Sequence, residues 1–171
     1  MKNNTWRKAL ILVACSVFLA AAAPGVEKPA VQVDPTESVG PRTPEKQTAT
    51  AVVRDYLQAW QTLSDALGGN RPDLLDRDFL GTAKLKLTQT IEDQTKLKIA
   101  TQYRDTAHHI RLLFYSPEGL SMQLLDTVEY DVQITDHDKV RAMQHVRSRY
   151  VAVLTPTEVR WKVRIFQAGP E

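Results

Sequence analysis

The spacing of apolar positions changes once along this chain, from three-and-four to two, and the change divides it. Ala49, Val52, Val53, Tyr56, Leu57, Trp60, Leu63 and Leu67 recur at steps of three and four, with Arg54, Asp55, Gln58 and Gln61 between them. That spacing predicts a long helix with one apolar stripe, ended by Gly68-Gly69. Pro72-Asp73 opens a short second helix through Leu74, Leu75, Phe79 and Leu80, because proline is preorganised for a first helical turn, and Gly81 closes it. Over 82–99, Leu85, Leu87, Ile91, Leu97 and Ile99 fit a charged third helix, although Lys84 to Leu87 also alternates as a strand would.

After about residue 106 the period is two. The runs His108 to Tyr115, Leu120 to Thr135, Val140 to Leu154 and Glu158 to Gln167 are separated by Ser116-Pro117-Glu118-Gly119, Asp136-His137-Asp138-Lys139 and Thr155-Pro156-Thr157. Long alternating runs joined by short polar turns predict a four-stranded antiparallel meander. Helices followed by strands make the fold class α+β, with the helices on one sheet face. Leu124, Val128, Tyr130, Val132 and Ile134 share the parity expected to face them, as do Val146, Tyr150, Ala152 and Leu154, and then Val159, Trp161, Val163 and Ile165. On the other face Glu129 and Asp131 can meet Arg147 and Arg149, which adjoin Arg160, Lys162 and Arg164. Such pairs, exposed to water, contribute a few tenths of a kcal/mol each, at about 0.2–1.

The N-terminal segment follows a different logic. Lys2, Arg7 and Lys8 precede an apolar run from Ala9 to Ala23 that ends on small residues before Pro24, the layout of a cleaved signal peptide over 1–23. The run falls short of the roughly 20 residues of a membrane span, so a retained anchor is the lesser alternative. Leu12-Val13-Ala14-Cys15 also matches a lipobox, and Cys15 would then carry a lipid anchor. The expected location is therefore exported, periplasmic or secreted, with membrane contact only through this leader or a lipid on Cys15. From Pro24 to about residue 45, five prolines among Val, Glu, Ser, Thr and Gly predict a disordered spacer, and residues 46–171 form one domain.

Charge and cysteine usage narrow the chemistry. The whole chain carries +2, and three of its cations lie in residues 1–23, which leaves the remainder at −1. Nucleic-acid binding needs several clustered cations against phosphates, so no nucleic-acid partner is expected. Cys15 is the only cysteine, so the mature domain has no disulfide, thiolate nucleophile or Cys-ligated metal. No Gly-rich phosphate loop and no Gly-x-Ser-x-Gly elbow occurs, and no cofactor is expected. His108-His109 suggests a metal, yet adjacent strand residues point to opposite faces. Asp136-His137-Asp138 reads as turn chemistry, so no metal site is expected either.

A long amphipathic helix carrying Tyr56-Leu57-Gln58-Ala59-Trp60, a short Pro72-Asp73-Leu74-Leu75 helix, a third helix and long strands ending in Arg160-Trp161-Lys162-Val163 resemble the NTF2-like superfamily of cystatin-like α+β cones. The resemblance covers about 48–167. It implies a curved sheet wrapped on helices with a concave pocket, in a class that includes ketosteroid-isomerase-like and polyketide-cyclase-like enzymes as well as modules that bind, dimerise or scaffold. Polar residues on the apolar parity are the candidates for that pocket. His108 shares parity with Ile110, Leu112 and Phe114, and Asp126 with Leu124 and Val128, so both could point inward as a carboxylate–imidazole pair; a bulge between Leu125 and Val128 would instead turn Asp126 away. Tyr130, Ser148 and Tyr150 would add hydroxyls, with Trp60 and Trp161 completing a ligand pocket. The Tyr56, Trp60, Leu63 stripe itself reads as core. These features favour an exported binding or assembly module without catalytic activity, which buries a small apolar ligand or pairs with a second copy or an envelope protein. The alternative is a cofactor-independent isomerase, cyclase or hydrolase using Asp126 and His108.

Overall fold

A computed structural model describes residues 28–36, 39–137 and 139–169. The expectations for 1–23, Cys15 included, lie outside these residues. Among the described residues no helix is long and apolar enough to cross a membrane.

Helix α1 spans Lys46–Gly68 and buries the stripe the spacing predicts, with Val52, Tyr56, Ala59, Trp60, Leu63, Ala66 and Leu67 all nearly inaccessible. Its end is satisfied rather than frayed: the Gly69 N–H donates to the Asp65 carbonyl, and the Gln94 amide donates to the carbonyl of Leu67 at 2.6 Å. Pro72–Arg77 is a 3-10 helix rather than an α-helix, and α2 runs Gly81–Lys96, as the third predicted helix does to within a few residues. Gly81 opens α2 with φ of +57°, a left-handed conformation that glycine adopts without strain.

The sheet contains β1 (Ala30–Val33), β2 (Gly40–Pro41), β3 (Ile99–Tyr115), β4 (Met122–Asp136), β5 (Lys139–Pro156) and β6 (Trp161–Ala168). Its order is β1-β3-β4-β5-β6, with β2 also on β3. Strands β3 to β6 form the expected antiparallel meander. The other two strands correct the expectation of four strands and of a disordered spacer through residue 45. Residues 30–33 and 40–41 lie parallel to β3, Val31 opposite His108 and Gly40 opposite Phe114. The Ala-Val-Gln-Val segment is strand-forming and covers the outer edge of β3, whose backbone groups would otherwise stand open; Pro29 and Pro35 keep it short. A further correction is that β3 starts at Ile99, well before His108.

Parity holds on β4, where Met122, Leu124, Asp126, Val128 and Tyr130 are buried and the pairing with β3 passes Asp126 without a bulge. Val132 and Ile134 are only half-buried. On β6 the parity fails partway. The pairing with β5 steps from Leu154–Val163 to Val153–Ile165, so Arg164 is an extra residue, and Phe166 rather than Ile165 packs on the core. Val159 is 81% exposed in the turn before β6. Two buried carboxylates tie helices to that strand: Asp55 of α1 accepts the Trp161 N–H at 2.9 Å, and Asp78 accepts from Arg160 and Arg77, each at 2.9 Å, and from Thr62.

Replacing Asp78 with Ala removes three donors' partner at a buried position and is expected to cost about 3 kcal/mol in urea unfolding. The Asp73→Ala change breaks an exposed pair with Arg71 and is expected to cost below about 1 kcal/mol.

Candidate functional site

Tyr56 and Trp60 stand one turn apart on α1 and aim at the sheet, where His108 and Asp126 are diagonal neighbours on β3 and β4: His108 pairs with Val128 and Asp126 with Ile110. Both side chains point inward, as their parity predicts. His108 Nδ1 lies 2.7 Å from Asp126 Oδ2, and the Tyr56 hydroxyl donates to the same oxygen at 3.0 Å. A third member escaped the pattern. Asp105 sits opposite Tyr130 and Ala107 opposite Glu129, so Thr106 is a bulge and Asp105 lands on the same face as His108. Its Oδ2 is 3.0 Å from His108 Nε2, and Gln61 donates to its Oδ1 at 3.1 Å. Strict alternation from His108 puts Asp105 on the solvent side, and nothing in the pattern announces the bulge.

Burial pushes the His108 pKa down, but hydrogen bonds to Asp105 and Asp126 and the charge of both outweigh it, and the result is raised to about 9. The ring is thus an imidazolium at neutral pH, with both N–H groups donated to carboxylates. Burial pushes Asp105 up, and its bonds to His108, to backbone and to Gln61 more than reverse this, so its carboxyl is held below the usual range. Tyr56 is driven well above its ordinary value, first by burial and then by the Asp126 charge, and stays a neutral donor. Two polar atoms here are buried without a protein partner, Asp126 Oδ1 and Trp60 Nε1.

The space around this set is filled. Trp60 meets His108 edge-on at 5.6 Å and also touches the rings of Tyr130, Tyr150 and Phe166. Tyr150 stacks on Phe166 at 4.8 Å, and the Tyr130 and Tyr150 hydroxyls lie 3.2 Å apart. Trp60, Tyr130 and Tyr150 are therefore brought together, but as the filling of the cone and not the walls of an open pocket. Ser148 is half-buried opposite Val128. Trp161 lies apart, near Tyr115 at 6.4 Å, because its backbone is bound to Asp55. His108 is 2% and Asp126 0% exposed.

Open volume lies elsewhere. A groove of about 1100 Å³ runs between β1 and α1, lined by Val31, Val33, Val53 and Leu57 and floored by Gln61 and Asp105. A smaller, more polar one of about 580 Å³ lies at the end of α1 among Ser64, Gly68, Gln102, Asp131 and Met143. Asp105 is the one member of the histidine set that reaches the larger groove. On the outer sheet face Glu129 pairs with Arg147 at 3.6 Å as anticipated, whereas Asp131 pairs with His145, its direct cross-strand neighbour, and not with Arg149. His109 points away from His108 and meets Asp34 at 2.7 Å.

Helices laid on one face of a curved, mostly antiparallel sheet give the chain the α+β architecture that the resemblance to the NTF2-like superfamily implies. No protein-family model matches the sequence, and no curated protein does. Among solved structures it is similar to the intermembrane-space region of the chloroplast protein ARC6, at 15% identity over 77% of this chain and 100% of that one, with a TM-score of 0.61. It is also similar to ActVI-ORFA of Streptomyces coelicolor, at 15% identity over 70% of this chain and 95% of that one, TM-score 0.48. An NTF2-like family protein of Streptomyces avermitilis, for which dehydratase activity has been suggested, gives 13% identity over 71% and 98%, TM-score 0.49. At these identities the likeness concerns the fold.

Because the His108 pKa is raised on folding, its contribution is fully present below the unfolded value near 6.5 and is lost as pH rises through about 9. The free energy of unfolding is expected to fall by a few kcal/mol over that window in chemical denaturation. The His108→Gln variant, less stable at neutral pH, should give a flat profile there.

Proposed function

We propose that this chain is an exported, non-catalytic binding module that holds an apolar molecule with an anionic head in the groove between β1 and α1. The observation that carries the reading is the separation of the open volume from the buried Asp–His set. The groove supplies aliphatic surface from both of its walls, which suits an aliphatic ligand. Its charged lining is mainly cationic, with Lys28, Lys46, Arg104 and the Asp55-paired Arg54 against Asp105. A carboxylate or phosphate head near those cations, with its tail along Val31, Val53 and Leu57, uses both features. This moves the ligand from the cone interior, where the sequence reading put it, to the flank built by the N-terminal strand. Export rests on the basic residues and apolar run of 1–23.

The Asp126–His108 pair itself favours the second reading, an isomerase, cyclase or hydrolase of the kind the fold accommodates. That chemistry needs a substrate atom within hydrogen-bond reach of a reacting group. Trp60 and Tyr56 cover His108 and Asp126, and a histidine already donating both protons to carboxylates is a poor base at neutral pH.

Calorimetric titration of the full chain with decanoate and with decanol tests the binding reading. Decanoate is expected to bind more tightly, and Leu57→Asp, which puts a like charge on the apolar wall, should weaken it about tenfold or more. Failure of both compounds to bind, or binding untouched by Leu57→Asp, overturns the groove as the site.

A further inference from the structure

The ribbon of β4 and β5 outruns β6. Pairing of β6 with β5 ends at Tyr150–Ala168, and the Gly169 N–H then reaches the Arg149 carbonyl at 2.8 Å. From Lys139 to Ser148, β5 has no strand on that side among the described residues. Since the Arg149 carbonyl points toward β6, the two-residue alternation aims the backbone groups of Arg147, His145 and Met143 out of the same edge. The stretch from Ala142 to Arg149 carries no bulge, the register shift lying beyond it at Arg141. It is also open to solvent, Met143 being 70% exposed.

We infer that this edge, Ala142 to Ser148, is a docking site for an extended acidic polypeptide segment of another protein, which adds to the sheet as a further strand. Unpaired donors and acceptors in a straight row are what strand addition uses. The charge decides the partner. Strand β5 contains Lys139, Arg141, Arg147 and Arg149 and not one Asp or Glu, and of these Arg141 is held by Asp136 of β4. Two copies of the edge paired through a two-fold axis would set arginine against arginine, which disfavours a homodimer here. A segment with carboxylates at alternate positions meets Arg147 and Arg149 while its backbone pairs with Met143, His145 and Arg147. Glu129 engages only one of those arginines, at 3.6 Å. An anionic bilayer would answer the charge but leave the backbone row unused.

The test is to titrate the full chain with a short synthetic peptide of alternating Glu and Val, and with its Lys-for-Glu counterpart, while following amide hydrogen exchange. The acidic peptide is expected to slow exchange at Met143, His145 and Arg147 about tenfold at saturation, and the basic one to leave it unchanged. His145→Pro removes an outward N–H that makes no bond to β4, together with the exposed pair to Asp131, and should abolish the protection at Met143 and Arg147 with little change in thermal stability. The double variant Arg147→Glu, Arg149→Glu keeps every backbone group and should transfer the preference to the basic peptide. Acidic-peptide binding without protection of those three amides overturns the inference, as does binding only to phosphatidylglycerol vesicles or dimerisation through this edge.

Discussion

A buried imidazolium is stable only while counter-charges remain within hydrogen-bond reach, and the position of His108 between Asp105 and Asp126 imposes that condition on several elements at once. The Thr106 bulge in β3 must turn Asp105 inward, β4 must hold its register through Asp126, and α1 must bring Tyr56 to the shared carboxylate oxygen. Breaking one partner would strand a charge away from water, at a cost of several kcal/mol. Trp60 then closes the set from above, and Tyr130, Tyr150 and Phe166 lock around it. The polar centre of the cone is thus a structural clasp. Its hydrogen bonds fix helix α1 against strands β3 and β4.

With His108 and Asp126 covered, the open features of the sheet lie at its two margins. On one side β1 covers β3 and forms a wall of the large groove with Val31 and Val33. On the other, the ribbon of β4 and β5 extends past β6 and leaves a row of backbone groups in a cationic surround. The whole chain carries only +2, so this cationic edge is a matter of distribution and not of net charge.

Much of this is legible in the amino-acid sequence, and what is not shares a cause. Period-three-and-four spacing located α1, period two located the meander, and parity alone turned His108 and Asp126 toward each other. What parity cannot report is a bulge. The extra residue at Thr106 concealed Asp105, and the one at Arg164 exchanged Ile165 for Phe166. The 30–33 strand was hidden differently: four residues between prolines resemble a spacer, and only the uncovered edge of β3 gives them a partner. Side-chain volume is likewise invisible to periodicity. Trp60, Tyr130 and Tyr150, candidates for a pocket lining, fill that space together with Phe166.

The claim on which this account rests is that the histidine is a sealed, permanently charged clasp. Long-range proton–nitrogen correlation NMR of the His108 ring across pH tests it directly. The account predicts both ring nitrogens protonated at neutral pH, a transition near 9, and no response to a ligand in the groove. A neutral ring titrating near 6.5, with shifts that move when ligand is added, would show that the site is open and would return Asp126 and His108 to a catalytic role.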